Sequence, residues 1–105
     1  MLIQVNTDSN THGTLELTSG VEAFIEEKLG RFAERITRVE VHLNDENSPS
    51  KAAGDDRRCM IEVRMANMDP ITTTEHADTY DKALRGAANK MQDRIETILG
   101  KLGKR

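Results

Sequence analysis

The stretch ITRVEVHL, residues 36–43, is where the spacing of apolar residues changes. Val39, Val41 and Leu43 alternate with Arg38, Glu40 and His42, the two-residue repeat of a strand with one buried face. Immediately upstream the repeat is helical. Val21, Phe24, Ile25, Leu29, Phe32 and Ile36 recur at steps of three and four and share one face. Ser19 and Glu22 have the S-x-x-E spacing of a capping box, which predicts that the helix starts at Ser19. Before it, Ile3 and Val5 alternate with Gln4 and Asn6 in a short strand, and the polar run from Ser9 to Gly13 turns the chain.

Downstream, Asn44 to Asp56 holds Pro49, Gly54 and several Asn, Asp and Ser, and reads as a long irregular loop. Cys59, Ile61, Val63 and Met65 alternate with Arg58, Met60, Glu62 and Arg64 in a third strand. Asn67 to Pro70 supplies a tight turn, and the Thr-rich run Ile71 to Ala77 a fourth strand. Asp78 is placed to cap a second helix whose apolar face carries Tyr80, Leu84, Ala87, Ala88, Met91, Ile95, Ile98, Leu99 and Leu102, with Gly100 and Gly103 at its end. The expected fold is α+β in the order β-α-β-β-β-α, a four-stranded sheet with both helices packed on one face. A helical crossover makes the first two strands parallel if they are neighbours.

At 105 residues, with 31% charged and 36% hydrophobic residues, the chain is expected to form one domain spanning 1–105. No apolar run approaches a membrane span or a signal-peptide core, so a cytoplasmic location is expected. Cys59 is the only cysteine, which excludes an internal disulfide and a cysteine-based zinc cage; its strand phase makes it a packed thiol. The net charge of −3 conceals segregation: residues 78–105 carry seven Lys/Arg against four Asp/Glu, and residues 1–77 carry eight against fourteen.

Unrolling the helices shows where those charges fall. Lys28, Arg31 and Arg35 lie along one flank of the first apolar stripe, with Glu26, Glu27 and Glu34 farther round. On the second helix Lys90, Arg94 and Lys101 line one flank, extended by Lys104 and Arg105. Asp81, Asp93 and Glu96 lie on the other side, with Lys82 and Arg85 among them. Cations at helical-turn spacing suit a phosphate backbone, and the same pattern also fits a solvated surface with ordinary Glu/Lys pairing. Both Phe and the one Tyr fall on core-facing helical positions, so RNA binding here would rest on shape and phosphate rather than base stacking. His42 and His76 alternate onto the open side of the sheet and His12 lies in the first loop. They lack metal-ligand spacing and read as surface histidines. Asp55 and Asp56 read as a turn, and Gly100 to Lys104 lacks the Walker spacing. No catalytic residue, metal or cofactor is implied.

The element order, the strand ITRVEVHL with the following NDEN, and the HADTYDKAL junction at residues 76–84 resemble the ribosome hibernation-promoting factors. That family includes the ribosome-associated inhibitor and was once called sigma modulation protein. The resemblance covers nearly the whole chain. It implies a double-stranded-RNA-binding-like fold that occupies the mRNA and tRNA channel of the small ribosomal subunit and silences translation in starved or stationary cells. It also implies that Lys28, Arg31, Arg35, Lys82, Arg85, Lys90 and Arg94 are the family's basic helix positions; the charge stripe adds Lys101. This sequence departs from the pattern in its net acidity, in a first helix expected to be a few residues shorter, and in a longer, more acidic loop after the second strand. It stops soon after the second helix, so no C-terminal dimerisation domain is expected. The net acidity and the acidic loop also fit a protein-interaction module that keeps the fold without RNA. A metal-dependent enzyme using His42 and His76 is a third, weaker reading.

Overall fold

A computed structural model describes residues 1–7, 15–45 and 57–103. The strands are β1 (Leu2–Thr7), β2 (Ile36–Asp45), β3 (Arg57–Met65) and β4 (Ile71–Ala77); the helices are α1 (Leu15–Leu29) and α2 (Tyr80–Gly103). The sheet order is β1-β2-β3-β4, with β1 parallel to β2 and the other pairs antiparallel. Both helices contribute to one buried cluster with the strand residues Val39, Val41, Leu43, Cys59, Ile61, Val63, Met65 and Ile71. α2 packs on β3 and β4, and α1 on β1. Ala83, Ala87 and Ala88 are fully buried, and their small side chains let α2 approach the sheet closely. Among the described residues no helix is long and apolar enough to cross a membrane.

The structure corrects several expected boundaries. α1 starts at Leu15, four residues before the capping-box serine, so Ser19 lies within it. Ser19 and Gly20 are exposed, and Gly20 has open space around it. Their poor helix propensity is offset by the anchoring of Val21, Ile25 and Leu29 in the core. The helix ends at Leu29; Phe32 belongs to a tight 3-10 turn, Gly30–Phe32, and Ile36 already opens β2. A register shift between Ile36 and Arg38 bulges Thr37, which donates to the Arg64 carbonyl at 3.0 Å, and this lets Ile36 and Val39 both face the core.

β2 and β3 also continue beyond their expected ends, because Asp45 and Arg57 are cross-strand partners joined by an ion pair at 3.4 Å. The remaining loop, residues 46–56, lies outside the described residues, as do the first turn, His12, Lys104 and Arg105. The turn into β4 closes two residues early, with Met68 N–H donating to Met65 O at 3.3 Å and Asn67 at φ 63°, a conformation Asn tolerates. At the start of α2 the cap is Thr79 rather than Asp78. Its Oγ1 accepts from Lys82 N–H at 3.1 Å, while Asp78 pairs through its side chain with Lys82.

Gly86 illustrates how α2 is held to β4. A Cβ there would stand 2.6 Å from Glu75 Cγ, so the glutamate side chain occupies the space the glycine leaves. Helix propensity alone would make Gly86→Ala stabilising by about 1 kcal/mol. We expect no such gain, because the methyl group displaces Glu75 from its ion pair with Lys90 at 2.5 Å. In a Glu75→Ala background the same change should recover most of that increment. Urea titration of the four proteins measures the difference, and identical effects in both backgrounds would contradict the packing account.

Candidate nucleic-acid interface

The two helices run side by side in the same direction, as their contacts show. Arg85 lies over the Phe24 ring at 5.4 Å, Lys28 donates to Gln92 Oε1 at 3.5 Å, and Arg31 pairs with Glu96. Of the flank expected on the first helix only Lys28 lies on α1; Arg35 stands past the helix at the entry to β2, while Lys28 and Arg31, the latter in the 3-10 turn, face the seam with α2. There Arg31 is already matched by a carboxylate, and Lys28 is half-buried against an amide. At the start of α2, Lys82 pairs with Asp78 at 3.1 Å and Arg85 with Asp81 at 2.9 Å, both at the favourable four-residue spacing.

The other flank of α2 faces the β4 edge. Lys90 Nζ donates to the Thr74 carbonyl at 2.9 Å and pairs with Glu75. One turn on, Arg94 lines shallow recesses formed with the β3–β4 turn, Asn67 to Ile71, and with Thr72, Thr74 and Thr97. Arg35 belongs to the same end of the sheet, since its carbonyl accepts from Ala66 N–H at 3.4 Å. Ile98 of α2 lies level with the turn, and the helix carries on to the exposed Lys101. Among the described residues Arg35, Arg94 and Lys101 have no carboxylate partner. The eight sequence-derived cations thus separate into two groups: paired or tethered ones along the seam, the start of α2 and β4, and three unpaired ones towards the β3–β4 turn.

The aromatic residues are not fully buried as expected. Phe24, Phe32 and Tyr80 are half-buried, and each has a guanidinium over its ring: Arg85, Arg31 at 4.8 Å and Arg57 at 5.4 Å. One face of each ring is thus covered by a guanidinium. Sequence spacing hinted at none of these cation–π pairs except Arg31 with its neighbour Phe32.

The open face of the sheet carries charge of both signs. Glu40 and Glu62 stand directly opposite each other, an unfavourable placement relieved by Arg38 at 2.8 Å from Glu40 and Arg64 at 3.4 Å from Glu62. The hydrogen bond from Arg38 holds the Glu40 carboxyl below its ordinary range. His42 lies 3.3 Å from Glu40, and β3 separates it from His76, so the two histidines do not meet. Among the described residues no group of three or more His, Cys, Asp or Glu is arranged for a metal ion. Cys59 is buried, and that burial pushes its thiol up to about 12, so the nucleophilic thiolate is absent near neutrality.

Residues 10–103 match the family model described as sigma 54 modulation protein / S30EA ribosomal protein. The chain belongs to that family. The S30EA family is ribosome-associated, in agreement with the resemblance drawn from ITRVEVHL and HADTYDKAL. Two solved structures have the S30EA fold seen here. A ribosomal subunit interface protein from Coxiella burnetii is 14% identical with a TM-score of 0.70, covering 95% of this chain and 99% of that one. The Protein Y N-terminal domain of Thermus thermophilus is 17% identical with a TM-score of 0.67, covering 93% and 99%. At these identities the likeness establishes the fold alone. A comparison with curated proteins gives no match.

Proposed function

We propose that this S30EA-family chain is a hibernation factor that binds small-subunit rRNA in the channel used by mRNA and tRNA, and so silences ribosomes under stress or in stationary phase. The observation that carries the reading is the family match over residues 10–103. The three unpaired cations Arg35, Arg94 and Lys101 support it, because they can meet phosphates without first breaking an ion pair. Lys28 is tethered by a hydrogen bond and reaches phosphate by rotating away from Gln92, whereas Lys90 has to leave both the Thr74 carbonyl and its ion pair with Glu75. Arg31, Lys82 and Arg85 exchange a carboxylate for a phosphate, which makes them secondary contacts. The protein works in the cytoplasm by occupying a site, with no bond made or broken.

Co-sedimentation with small subunits and whole ribosomes, in a salt series at fixed magnesium, tests this. We expect saturable binding at about one copy per small subunit. Each phosphate neutralised contributes roughly −0.7 to −0.9 to the slope of log affinity against log salt, so three principal contacts give a slope of about −2 to −3. Binding that ignores salt, or no binding at physiological salt, would favour the second reading, a protein-interaction module, to which the net charge of −3 points.

A further inference from the structure

We propose that the outer edge of β1, overhung by the acidic flank of α1, is a docking site for an extended, lysine- or arginine-rich segment of another protein, which joins the sheet as a fifth strand. The two edges of the sheet differ. On β4, Lys90 is fastened to the Thr74 carbonyl, and Arg94 and Thr97 line the groove beside Thr72 and Thr74. A lysine on the edge is one of the devices by which sheets resist unwanted pairing. β1, LIQVNT, has no charge and no proline, and among the described residues no strand pairs with its outer side. A row of free backbone donors and acceptors is the template used in strand addition.

The side chains on this edge are also incompletely covered. Ile3 and Val5 are only half-buried, whereas their partners Val39 and Val41 on β2 are fully buried. Leu2, on the opposite face, is 59% exposed, and Met1, just ahead of the strand, is 37% exposed; these are the exposed large hydrophobic residues among those described. An added strand shields apolar surface on both faces.

The sign of the partner follows from α1. Its flank towards α2 carries Phe24 and Lys28, continued by Arg31 of the 3-10 turn. The flank away from α2 carries Glu22 and Glu26, with Glu27 farther round, and none of these has a cationic partner among the described residues. Since α1 packs on β1, Glu22 and Glu26 lie on the side of the outer edge. A second copy pairing antiparallel through β1 would place this flank against its own image, with like charges facing. A basic segment meets opposite charges instead. The site lies across the helix layer from Arg94 and Lys90, so it does not depend on the RNA reading.

The test titrates the full-length ¹⁵N-labelled protein with a blocked peptide of alternating valine and lysine, following amide shifts and hydrogen exchange. We expect shifts and slowed exchange within residues 2–7. Binding should vanish when alternate peptide nitrogens are methylated, and should weaken by roughly tenfold in the outer-flank variant Glu22→Lys/Glu26→Lys. An alternating valine–glutamate peptide should not bind. Shifts confined to other elements, indifference to N-methylation, or no binding of the lysine peptide would each overturn the proposal. So would slowed exchange in β1 that appears with protein concentration alone, because it would make a second copy the occupant.

Discussion

The triple variant Arg35→Glu, Arg94→Glu, Lys101→Glu is expected to lose at least about a hundredfold in ribosome affinity while melting within a few degrees of the parent. Each charge-assisted contact with a phosphate is worth roughly 1.5–3 kcal/mol, and reversal adds repulsion to the loss. None of the three side chains has a carboxylate partner among the described residues, and all three are exposed, so the fold gives up little. Lys101 lies in the last turns of α2, where a glutamate opposes the helix dipole by about 0.3–1 kcal/mol, still far below the binding effect. The comparison that matters is Lys82→Glu/Arg85→Glu. Those side chains already hold Asp78 and Asp81, so the gross gain on meeting a phosphate is offset by the ion pair given up, and their reversal should cost about tenfold or less. Sedimentation at one fixed salt concentration ranks the two variants. The opposite ranking would show that the seam and the start of α2, rather than the β3–β4 end, meet the RNA.

That ranking was not visible in the sequence, and the reason is physical. Helical periodicity assigns Arg31 and Arg94 to flanks from local spacing alone. Whether either cation is free depends on residues brought close by the fold: Arg31 is matched by Glu96, sixty-five positions away, while among the described residues no carboxylate pairs with Arg94. The parallel course of the two helices decides this, and no spacing rule within one helix contains it. The aromatic residues teach the same lesson, since their helical phase was legible but the guanidinium over each half-buried ring was mostly not.

Element type and order were legible because periods of two and of three to four are imposed by the buried face itself, and the change of period at Ile36 marks where β2 opens. Boundaries were less so. The S-x-x-E pattern at Ser19 is a local preference, and the helix runs through it from Leu15. At the other helix two capping residues stand side by side. Thr79 takes the backbone N–H while the Asp78 carboxylate is drawn to Lys82, a choice between neighbours that composition does not decide. The Thr37 bulge announces itself only as a three-residue step between Ile36 and Val39, which can also be read as the last step of the helical stripe.

Ile61→Ala is expected to destabilise the fold by about 3 kcal/mol, far more than reversing any exposed charge on α2. Ile61 is fully buried on β3, flanked in the sheet by Val41 of β2 and Thr73 of β4. Its methyl and methylene groups cannot be lost from such a position without a cavity, because the neighbouring strands fix its walls and the helices close it from above. A domain of this size has roughly 5–15 kcal/mol in all, so the change removes a large fraction and should lower the melting temperature by more than about 10 °C. In urea the midpoint should fall while the slope stays constant, since the surface exposed on unfolding is nearly the same. The effect should also couple to Thr73, whose buried hydroxyl donates to the Ala87 carbonyl at 2.8 Å and pins β4 under α2. Thr73→Val loses that bond outright in the parent. In the Ile61→Ala background the shared cavity lets β4 relax, so the combined loss should be smaller than the sum of the two. At low temperature, where the Ile61→Ala protein remains folded, its ribosome affinity should match the parent's, because no cation on α2 changes. A proportionate loss of affinity there would mean that the core also sets the position of Arg94, and that stability and binding are not separable in this fold.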